Sequence, residues 1–188
     1  MDLGLRDRVY LVTGGSRGLG FAAAQTLVAD GARVVLSAPH EATASSAAAR
    51  LTRNAAAGHL VAWVIADNAD PATPDRLIGA ASERFGRMDG ALISVGGSLP
   101  TLAGELGPAG IRVNGVLPVR IATDRVRELD ALRGDPDEVR ARLSEHIPLR
   151  RYGEPEEFGR AAASLLSPAA SYITGAMVPV DGGAISSI

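Results

Sequence analysis

Val12-Thr13-Gly14-Gly15-Ser16-Arg17-Gly18-Leu19-Gly20 is a glycine-rich stretch between an apolar run and an alanine-rich segment. The run before it, Arg8 to Val12, predicts a buried strand, and the apolar spacing from Phe21 to Asp30 predicts a helix. Glycines at this spacing permit a sharp turn, a close approach of phosphate to bare backbone, and tight packing of helix on sheet. The stretch is therefore predicted to hold a pyrophosphate at its amides and at the helix N-terminus. A plain strand-turn-helix corner is the alternative, because tight turns also need glycine.

The segment from Thr13 to Gly20 matches the pattern Thr-Gly-x-x-x-Gly-x-Gly in full. In this it resembles the short-chain dehydrogenase/reductase family, and the resemblance extends over residues 5 to 183 except for the middle of the chain. The family implies an α/β fold, a Rossmann-like doubly wound parallel sheet.

Composition predicts one domain over residues 1–188, because 46% of the residues are hydrophobic and 21% are charged. A net charge of -2 offers no basic field for nucleic acid or an anionic membrane. There is no apolar run of about 18 residues and no leader-like segment, so we expect a cytoplasmic protein. The chain has no cysteine, and its three histidines lack metal-ligand spacing, so no metal site is expected.

The family's nicotinamide cofactor is NAD(H) or NADP(H), and an acid at the end of the second strand selects NAD(H). Here that position is Ala38, followed by Pro39, and Arg17 in the glycine stretch could meet a 2′-phosphate. We therefore expect NADP(H) rather than NAD(H), with no bound cofactor as the remaining possibility. A solvated arginine is the alternative for Arg17.

Other cofactor contacts are implied by the resemblance. Asp67 follows the third strand, where the family binds adenine, although a helix cap or loop carboxylate fits equally. Gly96 is what remains of the family's Asn-Asn-Ala-Gly turn, or is a simple strand-end glycine. Pro118 to Thr123 matches Pro-Gly-x-Ile-x-Thr with Val119 in place of glycine, and a purely structural loop is the alternative. The candidate cofactor-binding residues are Gly14, Ser16, Arg17, Gly18, Leu19, Gly20, Ala38, Asp67, Asn68, Gly96, Ile121 and Thr123.

The middle of the family pattern is missing. An internal deletion near residues 97–99 joins the fourth strand to a remnant of the helix that carries Tyr-x-x-x-Lys in the family, and the catalytic serine is also absent. All 19 basic residues are arginine, so Tyr-x-x-x-Lys cannot occur at any tyrosine. With number five kept for the omitted strand, the expected sheet has six strands in the order 3-2-1-4-6-7. The strand that starts at Ile111 should then lie beside the fourth strand.

Loss of this segment should leave one sheet face thinly covered and favour a homo-oligomer. The leading interpretation is a family-like protein that binds NADP(H) but lacks the Ser-Tyr-Lys machinery. One alternative is an active oxidoreductase or other enzyme that takes its acid from elsewhere, with Ser94 and His146 as the residues considered, or from a partner chain. Another is a non-catalytic partner of a full-length relative.

Overall fold

Six strands and seven α-helices make up the part of the chain that this computed structural model describes, residues 2–53, 60–67, 70–93 and 99–185. The strands are β1 (Val9–Val12), β2 (Arg33–Ala38), β3 (Val61–Ile65), β4 (Gly90–Leu92), β5 (Gly115–Pro118) and β6 (Met177–Val180). The helices are α1 (Gly18–Ala29), α2 (Glu41–Thr52), α3 (Thr73–Phe85), α4 (Leu99–Leu106), α5 (Asp124–Ala131), α6 (Pro136–Ser144) and α7 (Pro155–Leu166). No helix in these ranges is long and apolar enough to span a bilayer.

The first four strands form a parallel sheet in the order β3-β2-β1-β4, which confirms the predicted α/β class. Val12 at the end of β1 lies between Leu36 of β2 and Leu92 of β4. Both faces of this sheet are covered because α1 and α2 pack on one side, around Leu27 and Leu36, and α3 packs on the other. Buried β-branched runs such as β1 and β2 are typical of parallel strands covered on both faces.

The last two strands pair in parallel as expected, but they form a separate two-stranded sheet. The predicted pairing of β5 with β4 is therefore wrong for the described residues. The physical reason is that the residues before β5 are hydrogen-bonded to the end of α7. The Arg112 guanidinium donates to the carbonyls of Leu165, at 2.8 Å, and of Leu166 and Ser167, both at 3.2 Å. This ties the start of β5 to the end of α7 rather than to the edge of β4.

Asn114 adds a second anchor, because its side chain donates to Ile173 and accepts from the amide of Ala176. Strand β5 accordingly begins at Gly115 and not at Ile111. A cavity of about 390 Å³ lies between the amino ends of the two sheets, with Asp89 on the β4 side and Arg112 on the β5 side. Helix α7 spans both sheets, since Phe158 and Ala162 belong to a core cluster that includes Leu92, Val116 and Val180.

The face of β5 and β6 opposite α7 is thinly covered, as expected. Val116 and Val180 point to α7, so the alternate positions Leu117 and Met177 lie on the other face. Leu117 is 41% exposed and Met177 is 47% exposed. These two residues define what we call the open face.

Helix starts follow the sequence signals. Residues 132–135 separate α5 from α6, and the Asp135 side chain accepts from the amides of Asp137 and Glu138. At α7 the Glu157 side chain accepts from the amide of Glu154 at 2.7 Å and pairs with Arg151. The hydrogen bond from Arg151, followed by the one from the Glu154 amide, lowers the pKa of Glu157 from 4.5 to about 2.

Because the pKa of Glu157 is lower in the folded protein, its stabilising effect is complete above about pH 4.5 and is lost as the pH falls toward 2. Glu157→Gln should therefore lower the urea midpoint of unfolding at pH 7 and have a vanishing effect near pH 2. Urea unfolding across this pH range measures the difference. Glu156→Gln is the matched control, since Glu156 lies in the same turn and makes no ion pair within the described residues. A deficit that persists at pH 2 would contradict the expectation.

Candidate functional site

The loop between β1 and α1 is open on its outer side. Gly14 is exposed with φ +64°, and a Cβ built there meets no heavy atom within 4 Å. Gly18 begins α1 with φ +57°, and a Cβ built at Gly20 would lie 2.6 Å from the Gly14 carbonyl oxygen. The first two glycines supply left-handed backbone, and Gly20 permits contact between the helix and the loop. Gly14 and Gly18 are thus favoured by their backbone conformation, and Gly20 by the lack of space for a side chain.

The inner side of the loop is held against the sheet. The amide of Gly15 donates to the Ser37 carbonyl at 3.1 Å, and the amide of Thr13 donates to the Leu92 carbonyl at 3.0 Å. A Cβ built at Gly15 would lie 2.9 Å from Cβ of Leu36. The loop is therefore fixed to β2 and β4 from below while its upper side stays accessible.

The N-terminus of α1 faces the same open side. Arg17 is the N-cap residue in extended conformation, and its side chain makes no capping hydrogen bond. The first amides of a helix lack intrahelical partners and carry partial positive charge, which favours an anion. Ser16 is half-buried, and Leu19 is half-buried against Ala23 and Phe158, so the side chain of Leu19 supports the helix.

A second segment, from the other sheet, reaches this loop. Cγ2 of Thr123 lies 3.9 Å from a Cβ built at Gly18, so the structure brings these two predicted residues together. The Thr123 hydroxyl accepts from the Val126 amide at 3.3 Å and caps α5. Ile121 is 3% exposed, and its Cδ1 would lie 2.7 Å from a Cβ built at Gly153. The Ile121 side chain is thus packed away from the loop, and any contact with a ligand is left to its main chain.

The ends of β2 and β3 lie at the same edge of the sheet, because Ala38 is opposite Ile65. Ala38 is buried, and its carbonyl accepts from the Ala66 amide at 3.0 Å. Asp67 is exposed two residues beyond β3, and its carbonyl accepts from the Thr73 hydroxyl at 2.6 Å. The predicted contacts Asn68 and Gly96 lie outside the described residues.

Sequence reasoning missed Asp130, a buried carboxylate next to this site. Asp130 is 2% exposed and accepts from the Arg120 guanidinium at 3.0 Å and from the Tyr152 hydroxyl at 2.9 Å. Burial, and then the hydrogen bond to Asp130, raises the pKa of Tyr152. Charged residues at helical spacing more often form a solvated face. The available signal was the spacing of Val126 and Asp130, which places them on one helix face, but the exposed Leu129 obscures it.

Comparison with known proteins identifies the family. The model described as short chain dehydrogenase matches residues 8–100, and the one described as Enoyl-(Acyl carrier protein) reductase matches residues 97–184. L-Rhamnose 1-dehydrogenase (NAD(P)(+)) of Azotobacter vinelandii is 32% identical over 253 residues, which cover 95% of this chain and 97% of that protein. The chain belongs to the short-chain dehydrogenase/reductase family. Levodione reductase of Leifsonia aquatica is a further relative, 29% identical with 94% of each chain covered.

Solved structures of other family members share the fold. L-Sorbose reductase from Gluconobacter frateurii, complexed with NADPH and L-sorbose, superposes with a TM-score of 0.87 at 22% identity and full coverage of both chains. This chain is shorter than its relatives, since its 188 residues align over 253 positions with L-rhamnose 1-dehydrogenase. The two family models meet at residues 97–100. The deletion near residues 97–99 stays a prediction.

The glycines of the loop generate a testable contrast. Gly20→Ala places a Cβ against main chain and should cost about 1–3 kcal/mol of unfolding free energy. In Gly14→Ala the added Cβ lies in open space, so only the strain of the positive φ should lower the unfolding free energy, by up to about 2 kcal/mol. Urea unfolding provides the measurement. Gly79→Ala in α3 is the control, because a Cβ there meets nothing and should stabilise by about 0.5–1 kcal/mol. Equal effects at Gly20 and Gly79 would contradict this account of the loop.

Proposed function

We propose that this short-chain dehydrogenase/reductase binds NADP(H) at the loop between β1 and α1. The observation that carries the proposal is the open, rigidly supported glycine loop beside an uncapped helix N-terminus, with Thr123 at its border. Gly14, Gly18 and Gly20 would hold the pyrophosphate, and Asp67 would lie toward the adenine. The residues present fit a dinucleotide. When bound, its nicotinamide would act as the hydride donor or acceptor. The solved complex of L-sorbose reductase with NADPH supports the proposal by analogy of fold.

The preference for NADP(H) rests on charge. The Arg17 side chain is exposed at the loop, and no ion pair within the described ranges engages it. The end of β2 carries buried Ala38 and no acid that would repel a 2′-phosphate. An arginine that meets a phosphate forms charge-assisted hydrogen bonds that NAD(H) cannot offer.

None of the three tyrosines is suited to act as the general acid of the family's mechanism. Lysine is absent, and the two buried tyrosines, Tyr10 and Tyr152, have pKa values raised by burial, with the hydrogen bond to Asp130 adding to the effect at Tyr152. Tyr172 is fully exposed. A tyrosine acts as acid and base near neutral pH only if its pKa is lowered. We therefore propose dinucleotide binding without the Ser-Tyr-Lys mechanism.

Titration of NADPH and NADH, followed by nucleotide fluorescence or calorimetry, tests the proposal. Wild-type protein should bind NADPH more tightly than NADH, and Arg17→Gln should weaken NADPH binding by about tenfold, equivalent to about 1.4 kcal/mol. NADH binding should be unchanged by this substitution. Arg84→Gln, at an exposed arginine of α3, is the matched control. Failure of the wild-type protein to bind either nucleotide at millimolar concentration would overturn the proposal and favour the non-catalytic partner.

The alternative of an active oxidoreductase predicts that NADPH is consumed with a carbonyl substrate by protein freed of contaminating enzymes. Of the residues considered as a replacement acid, Ser94 lies outside the described residues. His146 is exposed after α6, with its Nδ1 3.1 Å from the Arg142 carbonyl oxygen. Nothing in that position brings it to the glycine loop, so we expect no such turnover.

We also propose that a second copy of the chain covers the open face formed by Leu117 and Met177. The face adjoins β6, whose outer edge has no strand partner in the described residues, so two copies could extend the same surface symmetrically. Pairing with a longer relative is the competing outcome.

Light scattering after size exclusion should show a dimer at micromolar concentration. Leu117→Arg places a charge in the open face and should shift the protein toward monomer. Leu132→Arg is the control, because Leu132 is 82% exposed on the turn after α5 and is not one of the two residues that define the open face. A wild-type monomer at these concentrations would contradict self-association.

A further inference from the structure

The buried carboxylate of Asp130 joins three segments of the chain. Arg120 comes from the segment after β5, Asp130 from α5, and Tyr152 from the segment before α7. Among the described residues, the carboxylate accepts from the Arg120 guanidinium at Oδ1 and from the Tyr152 hydroxyl at Oδ2. A buried charge is stable only when it is paired and hydrogen-bonded, so this group depends on both partners.

The backbone at Arg120 is itself unusual. Arg120 has φ +53°, a left-handed backbone conformation that residues other than glycine rarely adopt. Two main-chain hydrogen bonds hold this conformation, from the Gly153 amide to the Arg120 carbonyl at 3.0 Å and from the Ala122 amide to the Gly153 carbonyl at 2.8 Å. Such backbone persists where the surroundings over-determine it, often at functional sites. The ion pair with Asp130 is the side-chain part of that support.

The same segment ends at the proposed dinucleotide site. Thr123 follows Arg120 by three residues, and its Cγ2 comes within 3.9 Å of a Cβ built at Gly18. Its hydroxyl caps α5, the helix that carries Asp130. Thr123 is therefore connected to Asp130 in two ways, through the preceding Arg120 and through α5, whose first turn it caps.

We infer that Asp130 is a positioning residue, which holds residues 120–123 against the glycine loop and thereby raises dinucleotide affinity. The inference rests on the proposed function for its effect on binding. Its structural part, the ordering of residues 120–123, stands independently of any ligand.

The experiment compares Asp130→Asn with Asp137→Asn. Both replace a carboxylate that accepts from an arginine, but Asp137 is exposed and pairs with Arg127 between α5 and α6. Hydrogen exchange should show the amides of Ala122 and Gly153 exchanging about tenfold faster in Asp130→Asn and unchanged in Asp137→Asn. The NADPH dissociation constant should rise about fivefold or more in Asp130→Asn alone, on the scale that residues supporting a ligand site exert. Tyr152→Phe removes one hydrogen bond while keeping the ring, and should show the same pattern more weakly.

Loss of thermal stability in Asp130→Asn, with exchange at Ala122 and Gly153 and NADPH affinity both unchanged, would overturn the inference. If Asp130→Asn does not fold, Tyr152→Phe decides by the same two measurements. If wild-type protein binds no NADPH, the proposed function fails, whereas the exchange rates still show whether Asp130 orders the segment.

Discussion

The close packing of α7 on α1 is the contact on which the rest of the structure depends. A Cβ built at Gly159 would lie 2.6 Å from the Ala22 carbonyl oxygen and 2.8 Å from the Thr26 hydroxyl, so only glycine allows the two helices to approach this closely. Phe158, beside it, packs into the cluster shared by β4, β5 and β6. One helix therefore holds two sheets that are not hydrogen-bonded to each other in the described part of the chain.

This arrangement also explains how the site is assembled from distant segments. The residues before α7 bridge to the segment after β5 through Gly153 and Ile121, and Tyr152 reaches Asp130 of α5. When α7 is seated on α1, these contacts bring Thr123 to the start of α1. The inner side of the site is thus held by main-chain hydrogen bonds, and its outer side exposes main chain that no side chain covers. That combination suits a ligand whose charge is met by amides.

The part of the fold formed by β5, β6 and α7 is held by contacts among these segments themselves. Arg112 and Asn114 use their side chains to fasten β5 to the residues around α7 and β6. A cavity lies between the two sheets, and Leu117 and Met177 are exposed on the open face. An exposed apolar face of this kind is where association with another chain would lower the free energy most.

The glycine fingerprint was predictable from local spacing and turn residues, whereas the parallel α/β class and the order of the first four strands were implied by the resemblance to the family. The lack of lysine is likewise a property of the sequence alone. The separation of the two sheets was not predictable, because it depends on which carbonyls the Arg112 guanidinium reaches. Asp130 was missed for a similar reason: its helix exposes Leu129 and buries a carboxylate, and only the partners Arg120 and Tyr152 make that arrangement favourable. Sequence by itself predicted a phosphate-binding glycine loop, since that prediction follows from backbone freedom at glycine, whereas only the tertiary structure decided which distant side chains border that loop.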